Sequence, residues 1–230
     1  MKRVRIKICG ITRLEDALVC VDAGADAIGF VFYDASARTI DVEQACAISR
    51  ELPPFVARVA LFLEPAPAAV QTVLDQLRPD ALQFHGRETA EFCRRFAWPF
   101  LKSVPMGEEN VEPRAWADYY HDAQGLLLDA NRAGAAGGSG KTFDWQREAA
   151  MPDMPIIIAG GLHADNVGEA ITRFQPYAVD VSSGVESAPG IKDAERVREF
   201  TASVSRARPG GIERRLSEGA TEAGSDTNND

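Results

Sequence analysis

Residues 4–24, VRIKICGITRLEDALVCVDAG, contain the repeating unit from which the fold is predicted. From Val4 to Cys9 apolar residues alternate with polar or small ones, which predicts a strand. Residues 12–15, Thr-Arg-Leu-Glu, have the sequence of a capping box, and apolar residues then recur at helical spacing up to Gly24. The chain therefore begins with a strand and a helix that ends at a glycine.

The same unit recurs along the chain. Further strands are predicted at 27–32, 56–63, 81–85, 100–104, 126–129, 155–159 and 178–182. Helical sequence is predicted at 41–52, 67–77, 89–96, around Trp116 and Tyr119, in a short segment near 143–147, and at 165–174 and 193–204. Alternating strands and helices imply parallel strands with right-handed crossovers, and eight units predict a closed (β/α)₈ TIM barrel of near-minimal size.

An open doubly wound sheet is the structural alternative. Strands of such a sheet are covered by helices on both faces and are nearly continuous in Val, Ile and Leu. Several strands here instead carry small or polar residues on one face, as the interior of a barrel allows. These residues are Ala27, Gly29, Val31, Gln83, His85, Asp180 and Ser182.

The length of 230 residues suits one barrel followed by a tail. From about Arg206 the sequence is rich in Gly, Ser, Glu, Asp and Asn, with almost no apolar residue after Leu216. Such a segment cannot bury enough surface to offset the entropy of ordering it. We therefore expect a barrel domain over residues 1–205 and a disordered tail over residues 206–230.

Composition narrows the possible partners. The formal net charge is -9, from 34 acidic and 25 basic residues, which argues against binding to nucleic acid or to an anionic membrane. No apolar stretch is long enough to span a membrane, and residues 1–5 lack a signal-peptide core, so a cytoplasmic location is expected. The four cysteines are widely spaced, without Cys-x-x-Cys or any metal-ligand spacing, so neither metal nor cofactor is predicted.

Two candidate acid/base groups stand at strand ends, where barrel active sites lie. Cys9 ends the first strand, followed by Gly10 and a helix start; the thiol is either a small buried hydrophobe or a base or nucleophile near helix-terminus amides. Asp129 closes an apolar strand and is either a cap for the next loop or a functional acid. Together they predict acid/base chemistry by a thiol and a carboxyl group.

The loops after the last two strands suggest a bound phosphate. Gly160-Gly161 and Ser183-Gly184 occupy the place where barrels commonly hold a substrate phosphate with backbone N–H groups. Arg38, after the second strand, is a candidate for a second anion such as a carboxylate, although a lone loop arginine is usually solvated. His85 and Asp180, also at strand ends, are predicted to contact substrate.

The glycine-rich stretch Gly134 to Thr142 resembles a P-loop, but Ala135 stands where that motif requires its first glycine. The residues after it also lack the pattern of the long helix that receives phosphates. A mobile loop over the site is the better interpretation, because glycine permits large changes of backbone angle.

At this point the residues resemble the phosphoribosylanthranilate isomerase family. The matching segments, in the order of that family, are Lys7–Thr12, Gly24–Phe32, Leu82–Gly86, Leu127–Asp129, Gly137–Trp145, Ile158–Leu162, Val179–Glu186 and Pro189–Asp193. The resemblance implies a cofactor-free Amadori-type isomerisation of N-(5-phosphoribosyl)anthranilate to 1-(2-carboxyphenylamino)-1-deoxyribulose 5-phosphate, in tryptophan biosynthesis. It also implies a small-molecule substrate and a monomer or homodimer.

The resemblance assigns roles to residues already singled out. Asp129 corresponds to the general acid that opens the furanose ring, and Cys9 to the general base that removes the proton from C2. Arg38 corresponds to the arginine that holds the anthranilate carboxylate, and the two glycine turns to the phosphate site. Ala37 departs from the usual Ser-Pro-Arg, which should loosen that loop.

Two other functions remain open from the sequence. One is a related phosphate-binding barrel, such as indoleglycerol-phosphate synthase, a lyase that relies on lysines and glutamates at strand ends. The other is a barrel that binds a phosphorylated metabolite without catalysis. The presence of both Cys9 and Asp129 counts against each.

Overall fold

Eight parallel strands, β1 to β8, close into a barrel in chain order, with β8 paired to β1. The computed structural model describes residues 3–132, 142–146 and 150–207. The barrel strands are Arg5–Cys9, Ala27–Phe32, Ala57–Phe62, Ala81–Phe84, Phe100–Pro105, Gly125–Asp129, Ile156–Ile158 and Ala178–Val181. This closure confirms the predicted barrel and excludes the open sheet.

Seven described helices, α1 to α7, surround the strands. They span Leu14–Asp22, Val42–Arg50, Pro67–Leu77, Ala90–Arg94, Pro113–Tyr119, Val167–Phe174 and Ala194–Arg206. The short helical segment predicted near 143–147 is not helical over residues 143–146. Apart from Thr142 and residues 206–207, the predicted glycine-rich loop and the predicted tail lie outside the described residues. None of the described helices combines the length and apolarity that a membrane crossing requires.

The capping box predicted at residues 12–15 is wrong. Helix α1 begins at Leu14 after Arg13, whose side chain makes no capping hydrogen bond. The Thr12 hydroxyl instead donates to the Gly190 carbonyl at 2.6 Å. Thr12 therefore ties the loop after β1 to a segment far along the chain.

That segment is a small hairpin that the sequence pattern does not predict. After β8 a 3₁₀ turn, Ser183–Val185, leads into two short antiparallel strands, β9 (Glu186–Ala188) and β10 (Ile191–Lys192). The hairpin packs beside the carboxyl end of β1, since Lys192 donates to the Cys9 carbonyl at 2.7 Å. It forms part of the wall around the barrel mouth.

Side chains alternate between the outside and the inside of the barrel, as parallel strands require. In β6, Leu126 and Leu128 join the core between barrel and helices, whereas Leu127 belongs to a separate apolar cluster inside the barrel. That inner cluster contains Leu101, Leu127, Ile157, Ala159 and Ala178. Toward the carboxyl ends of the strands the interior becomes polar, as the small and polar strand faces predicted.

Candidate active site

A single cleft at the carboxyl ends of the strands gathers most of the predicted site residues. Its wall includes Cys9, Arg38, His85, Asp129, Gly160, Gly161, Asp180 and Ser183. Apolar side chains from β2 and β3, among them Val31 and Leu61, complete it. A wall with one apolar side and several polar groups suits a ligand that carries both a flat ring and anions.

Cys9 lies at the end of β1 with its thiol in this cleft and only 5% of its surface exposed. Burial raises the pKa of the thiol, and neighbouring Lys7 opposes that rise. The Cys9 carbonyl is held from two sides, by the Ser182 hydroxyl at 2.9 Å and the Lys192 ammonium at 2.7 Å. The thiol is therefore fixed in position, within a charged neighbourhood.

Asp129 faces His85 across the cleft. Its Oδ1 accepts from the Asn131 amide at 2.8 Å, and its Oδ2 lies 3.9 Å from His85 Nε2. Gln83 Nε2 lies 3.3 Å from His85 Nδ1, an arrangement that leaves the ring proton on Nε2 when the glutamine donates. Burial lowers the pKa of His85 and so favours the neutral ring beside Asp129.

Lys7 and Asp180 form an ion pair inside the barrel, just below Cys9. Lys7 Nζ and Asp180 Oδ1 are 2.8 Å apart, and the side chains are 5% and 9% exposed. The two residues stand opposite each other in the β1–β8 register. Asp180 was predicted as a substrate contact; Lys7 was not singled out, although it lies two residues from Cys9 on the same strand face.

Arg38 reaches the cleft, but its guanidinium is already paired. Nε and Nη2 donate to the two carboxylate oxygens of Glu186 at 2.9 and 2.7 Å. Glu186 also accepts from Lys192 Nζ at 2.7 Å. Arg38, which is predicted to hold a substrate carboxylate, is therefore already paired within a largely buried cluster, here called the mouth cluster, of Arg38, Glu186 and Lys192.

The mouth cluster includes two charged residues that the sequence analysis missed. Glu186 and Lys192 are 6% and 5% exposed. Burial alone would raise the pKa of Glu186, but the two cations outweigh it and lower the value. The sequence does contain a signal for these two residues. Both are charged, and both lie in segments that carry the family resemblance.

The two predicted phosphate turns stand on neighbouring strands. Gly160 and Gly161 have φ angles of 81° and 63°, which a residue with a side chain rarely adopts. At Gly184 a Cβ atom would lie 1.9 Å from the Leu162 carbonyl oxygen. Both turns thus depend on glycine, and Ser183 places the second turn on the wall of the cleft.

A second buried ion pair supports β4 from outside the barrel. Lys102 Nζ donates to the carbonyls of Phe84 and Gly86, at 3.1 and 2.6 Å, and lies 3.0 Å from Glu88 Oε2. Glu88 in turn accepts from the Gly86 amide at 2.9 Å. These contacts fix the peptides on either side of His85.

Comparison with known proteins identifies relatives along almost the whole barrel. The family model for N-(5'phosphoribosyl)anthranilate (PRA) isomerase matches residues 6–203. The N-(5'-phosphoribosyl)anthranilate isomerase of Pseudomonas putida strain F1 is 50% identical over 207 residues, which cover 90% of this chain and 100% of that protein. The similarity therefore includes every strand that lines the cleft.

Solved structures agree in fold. The phosphoribosyl anthranilate isomerase of Thermotoga maritima has a TM-score of 0.76 and 42% identity, over 87% of this chain and 98% of that one. A second isomerase structure, with a TM-score of 0.73 and 40% identity over 87% of this chain and 98% of that one, is a complex with reduced 1-(o-carboxyphenylamino)-1-deoxyribulose 5-phosphate. That ligand carries an aromatic ring, a carboxylate and a phosphate.

Proposed function

Because this chain belongs to the N-(5'-phosphoribosyl)anthranilate isomerase family, it isomerises N-(5'-phosphoribosyl)anthranilate in tryptophan biosynthesis, and we propose that Cys9 and Asp129 move the protons. The single observation that supports this assignment is that Cys9 and Asp129 line one cleft together with Arg38, Gly160, Gly161 and Ser183. A lyase of the indoleglycerol-phosphate type belongs to another family than the one matched.

The proposed first step opens the sugar ring. Asp129 donates its proton to the furanose oxygen, the bond between that oxygen and C1 breaks, and the lone pair of the anthranilate nitrogen forms the C=N bond of an iminium. The His85 ring, which faces Asp129, contacts the freed hydroxyl group. General acid catalysis of this kind contributes typically 10²–10⁴-fold in rate.

The proposed second step moves hydrogen from C2. The Cys9 thiolate takes the C2 proton, the electrons of the C–H bond form a C1=C2 bond, and the iminium nitrogen becomes neutral. The Cys9 thiol then gives a proton to C1 of the enolamine, and the Asp129 carboxylate takes the proton of the C2 hydroxyl, which gives the ketone and restores both groups. Atoms balance without a cofactor, because one carbon is oxidised as its neighbour is reduced.

The substrate is held by its two anionic ends. The N–H groups of the Gly160-Gly161 and Ser183-Gly184 turns bind the phosphate. Arg38 binds the anthranilate carboxylate through Nη1, which makes no hydrogen bond to the described residues, and Asp180 contacts the sugar. The protein works on a free metabolite in the cytoplasm, as a monomer or homodimer.

Turnover by purified variants tests the assignment. We expect Cys9→Ala and Asp129→Asn each to lower kcat by at least about 10²-fold, measured as the fluorescence decay of phosphoribosylanthranilate. Cys46→Ala, a half-buried cysteine in α2, and Asp80→Asn, outside the cleft, are the matched controls and should retain full activity. Near-normal turnover by Cys9→Ala would show that another group is the base.

Growth provides a second test. The gene should restore growth without tryptophan to a host that lacks the isomerase, and the Cys9→Ala gene should not. A purely binding protein would fail in both forms.

A further inference from the structure

The ion pair of Lys7 and Asp180 has a charge that the proposed reaction does not use. Asp180 is assigned to substrate, but Lys7 has no role in that scheme, although its side chain is 5% exposed and its ammonium lies 2.8 Å from Asp180. Burying a charged pair costs desolvation energy that an apolar pair avoids. Its presence directly beneath the cleft therefore suggests a function.

The Lys7 side chain also lies beside the Cys9 thiol. The two residues are two positions apart on β1, so their side chains point to the same side of the strand. Their close approach uses space left free by Gly29, opposite Cys9 on β2. A Cβ atom at position 29 would lie 2.7 Å from Cys9 Sγ and 3.2 Å from Lys7 Cε.

We propose that Lys7 is a positioning residue that stabilises the thiolate form of Cys9. Asp180 limits this stabilisation, because its carboxylate partly neutralises the charge of the same ammonium. The inference rests on the proposed role of Cys9 as base. It goes further by naming the charges that determine how much thiolate is available. Lys7 acts through Cys9 and need not touch the substrate.

The surrounding charges single out Lys7. The groups that act on this corner of the cleft are Lys7, Arg38, His85, Asp129, Asp180 and Lys192. Arg38 and Lys192 are bonded to Glu186. Lys7 is bonded to Asp180 instead, and it is the cation whose side chain lies with Cys9 Sγ beside Gly29. Burial raises the pKa of the Cys9 thiol, and Lys7 has the largest opposing effect.

Lys7 itself keeps its proton. Burial alone would lower the pKa of the Lys7 ammonium, but Asp180 and Cys9 outweigh it and raise the value. The proton removed from C2 therefore stays on the sulfur rather than passing to the amine. Lys7 contributes a fixed positive charge, which is already in place when the thiolate forms.

The rate of Cys9 alkylation as a function of pH tests this directly and needs no substrate. Iodoacetamide is applied to the full-length protein, and the Cys9 peptide is quantified by mass spectrometry, which separates it from the other three cysteines. Removing an opposite charge that lies within about 4–6 Å of a group shifts the pKa of that group by about one to three units. We expect Lys7→Gln to raise the Cys9 pKa and slow alkylation near neutral pH at least about tenfold, and Asp180→Asn to lower it.

Shifts of the Cys9 pKa in opposite directions in the two variants support the proposal. A mere loss of packing has no reason to raise the pKa in one variant and lower it in the other. Unchanged values in both, or shifts in the same direction, overturn it. If Lys7→Gln does not fold, the Cys9 pKa is compared between Asp180→Asn and the neutral double variant Lys7→Gln/Asp180→Asn, and this comparison tests the proposal in the same way. Arg58→Gln, which breaks the outer Arg58–Asp80 pair, is the control and should leave the Cys9 pKa unchanged. Since the readout is thiol ionisation, it is independent of whether Cys9→Ala loses turnover.

Discussion

Replacing Lys102 by methionine removes a charge that is completely buried. The ammonium of Lys102 donates to two backbone carbonyls and pairs with Glu88 at 3.0 Å, and neither side chain is more than 2% exposed. Methionine has nearly the same length and fills the space below the rings of Trp116 and Tyr120, which lie under 6 Å from the ammonium. The substitution therefore tests the charge rather than the packing.

The expected loss follows from what remains behind. Glu88 keeps its hydrogen bonds from the Gly86 and Glu64 amides, but its carboxylate is buried without a cation. Removing one partner of a buried pair costs about 3–5 kcal/mol. For a domain of this size each kcal/mol lowers Tm by about 2–4 °C, so Lys102→Met should lower Tm by about 6–20 °C.

Denaturation in urea, followed by circular dichroism, measures this loss, with two further variants as references. Lys102→Met/Glu88→Gln removes the orphaned charge as well and should lose less stability than Lys102→Met. Arg58→Met breaks an ion pair whose side chains are 30% and 47% exposed, and it should cost less than about 1 kcal/mol.

Two results would contradict the proposed contribution of the Lys102–Glu88 pair to stability. A Lys102→Met variant that loses less than about 1 kcal/mol, or a double variant less stable than the single one, would show that the pair is not the support for β4. The stability of this strand end would then rest on the aromatic packing around Phe84.

Three further substitutions have expected outcomes. Gly184→Ala should raise KM for the phosphorylated substrate and lower Tm, because the Cβ of the alanine would overlap the Leu162 carbonyl. The control is Gly168→Ala in α6, where a Cβ meets no other atom; it should raise the free energy of unfolding, measured in urea, by about 0.5–1 kcal/mol. Glu186→Gln should destabilise the protein at pH 7 but much less in acid. Because folding lowers the pKa of Glu186, its contribution to stability is complete above the pKa of the unfolded chain and is lost as the pH falls through the pKa of the folded protein. A difference in unfolding free energy that does not change with pH would refute this prediction. Asp193→Ala removes the cap of α7, whose carboxylate accepts from two backbone amides, and should cost about 1 kcal/mol; an unchanged urea midpoint would contradict that.

Regular elements could be predicted from the sequence because each depends on a local pattern. The strand Ala27–Phe32 and the helix Pro67–Leu77 have the predicted bounds, since an apolar run between two aspartates and an N-terminal proline mark their ends. The capping box failed because the Thr12 hydroxyl has a better partner 178 residues away. No local pattern contains that information.

The site residues also divide into those that a local pattern predicts and those that it does not. Cys9 and Asp129 could be singled out because each is an unusual residue at the end of a strand, although their roles stay predictions until the variants are measured. Lys7 and Glu186 could not be singled out from the local pattern, because a charged residue in a strand or turn usually faces solvent; only the family resemblance includes both. Lys7 is buried against Asp180 on β8, and Glu186 is buried against Arg38 in the loop after β2 and Lys192 on β10; except for the short hairpin, these contacts join distant parts of the chain.

The contacts around Cys9 also determine when the site can exist during synthesis. Cys9 lies on the first strand, yet the lysine that holds its carbonyl is 183 residues further on. At about 5–20 residues per second, a ribosome needs roughly 10–40 seconds to make that interval. Until β8 has been made, Lys7 lacks its carboxylate partner Asp180, and a nascent chain truncated before β8 cannot be active, however well its first strands and helices have formed.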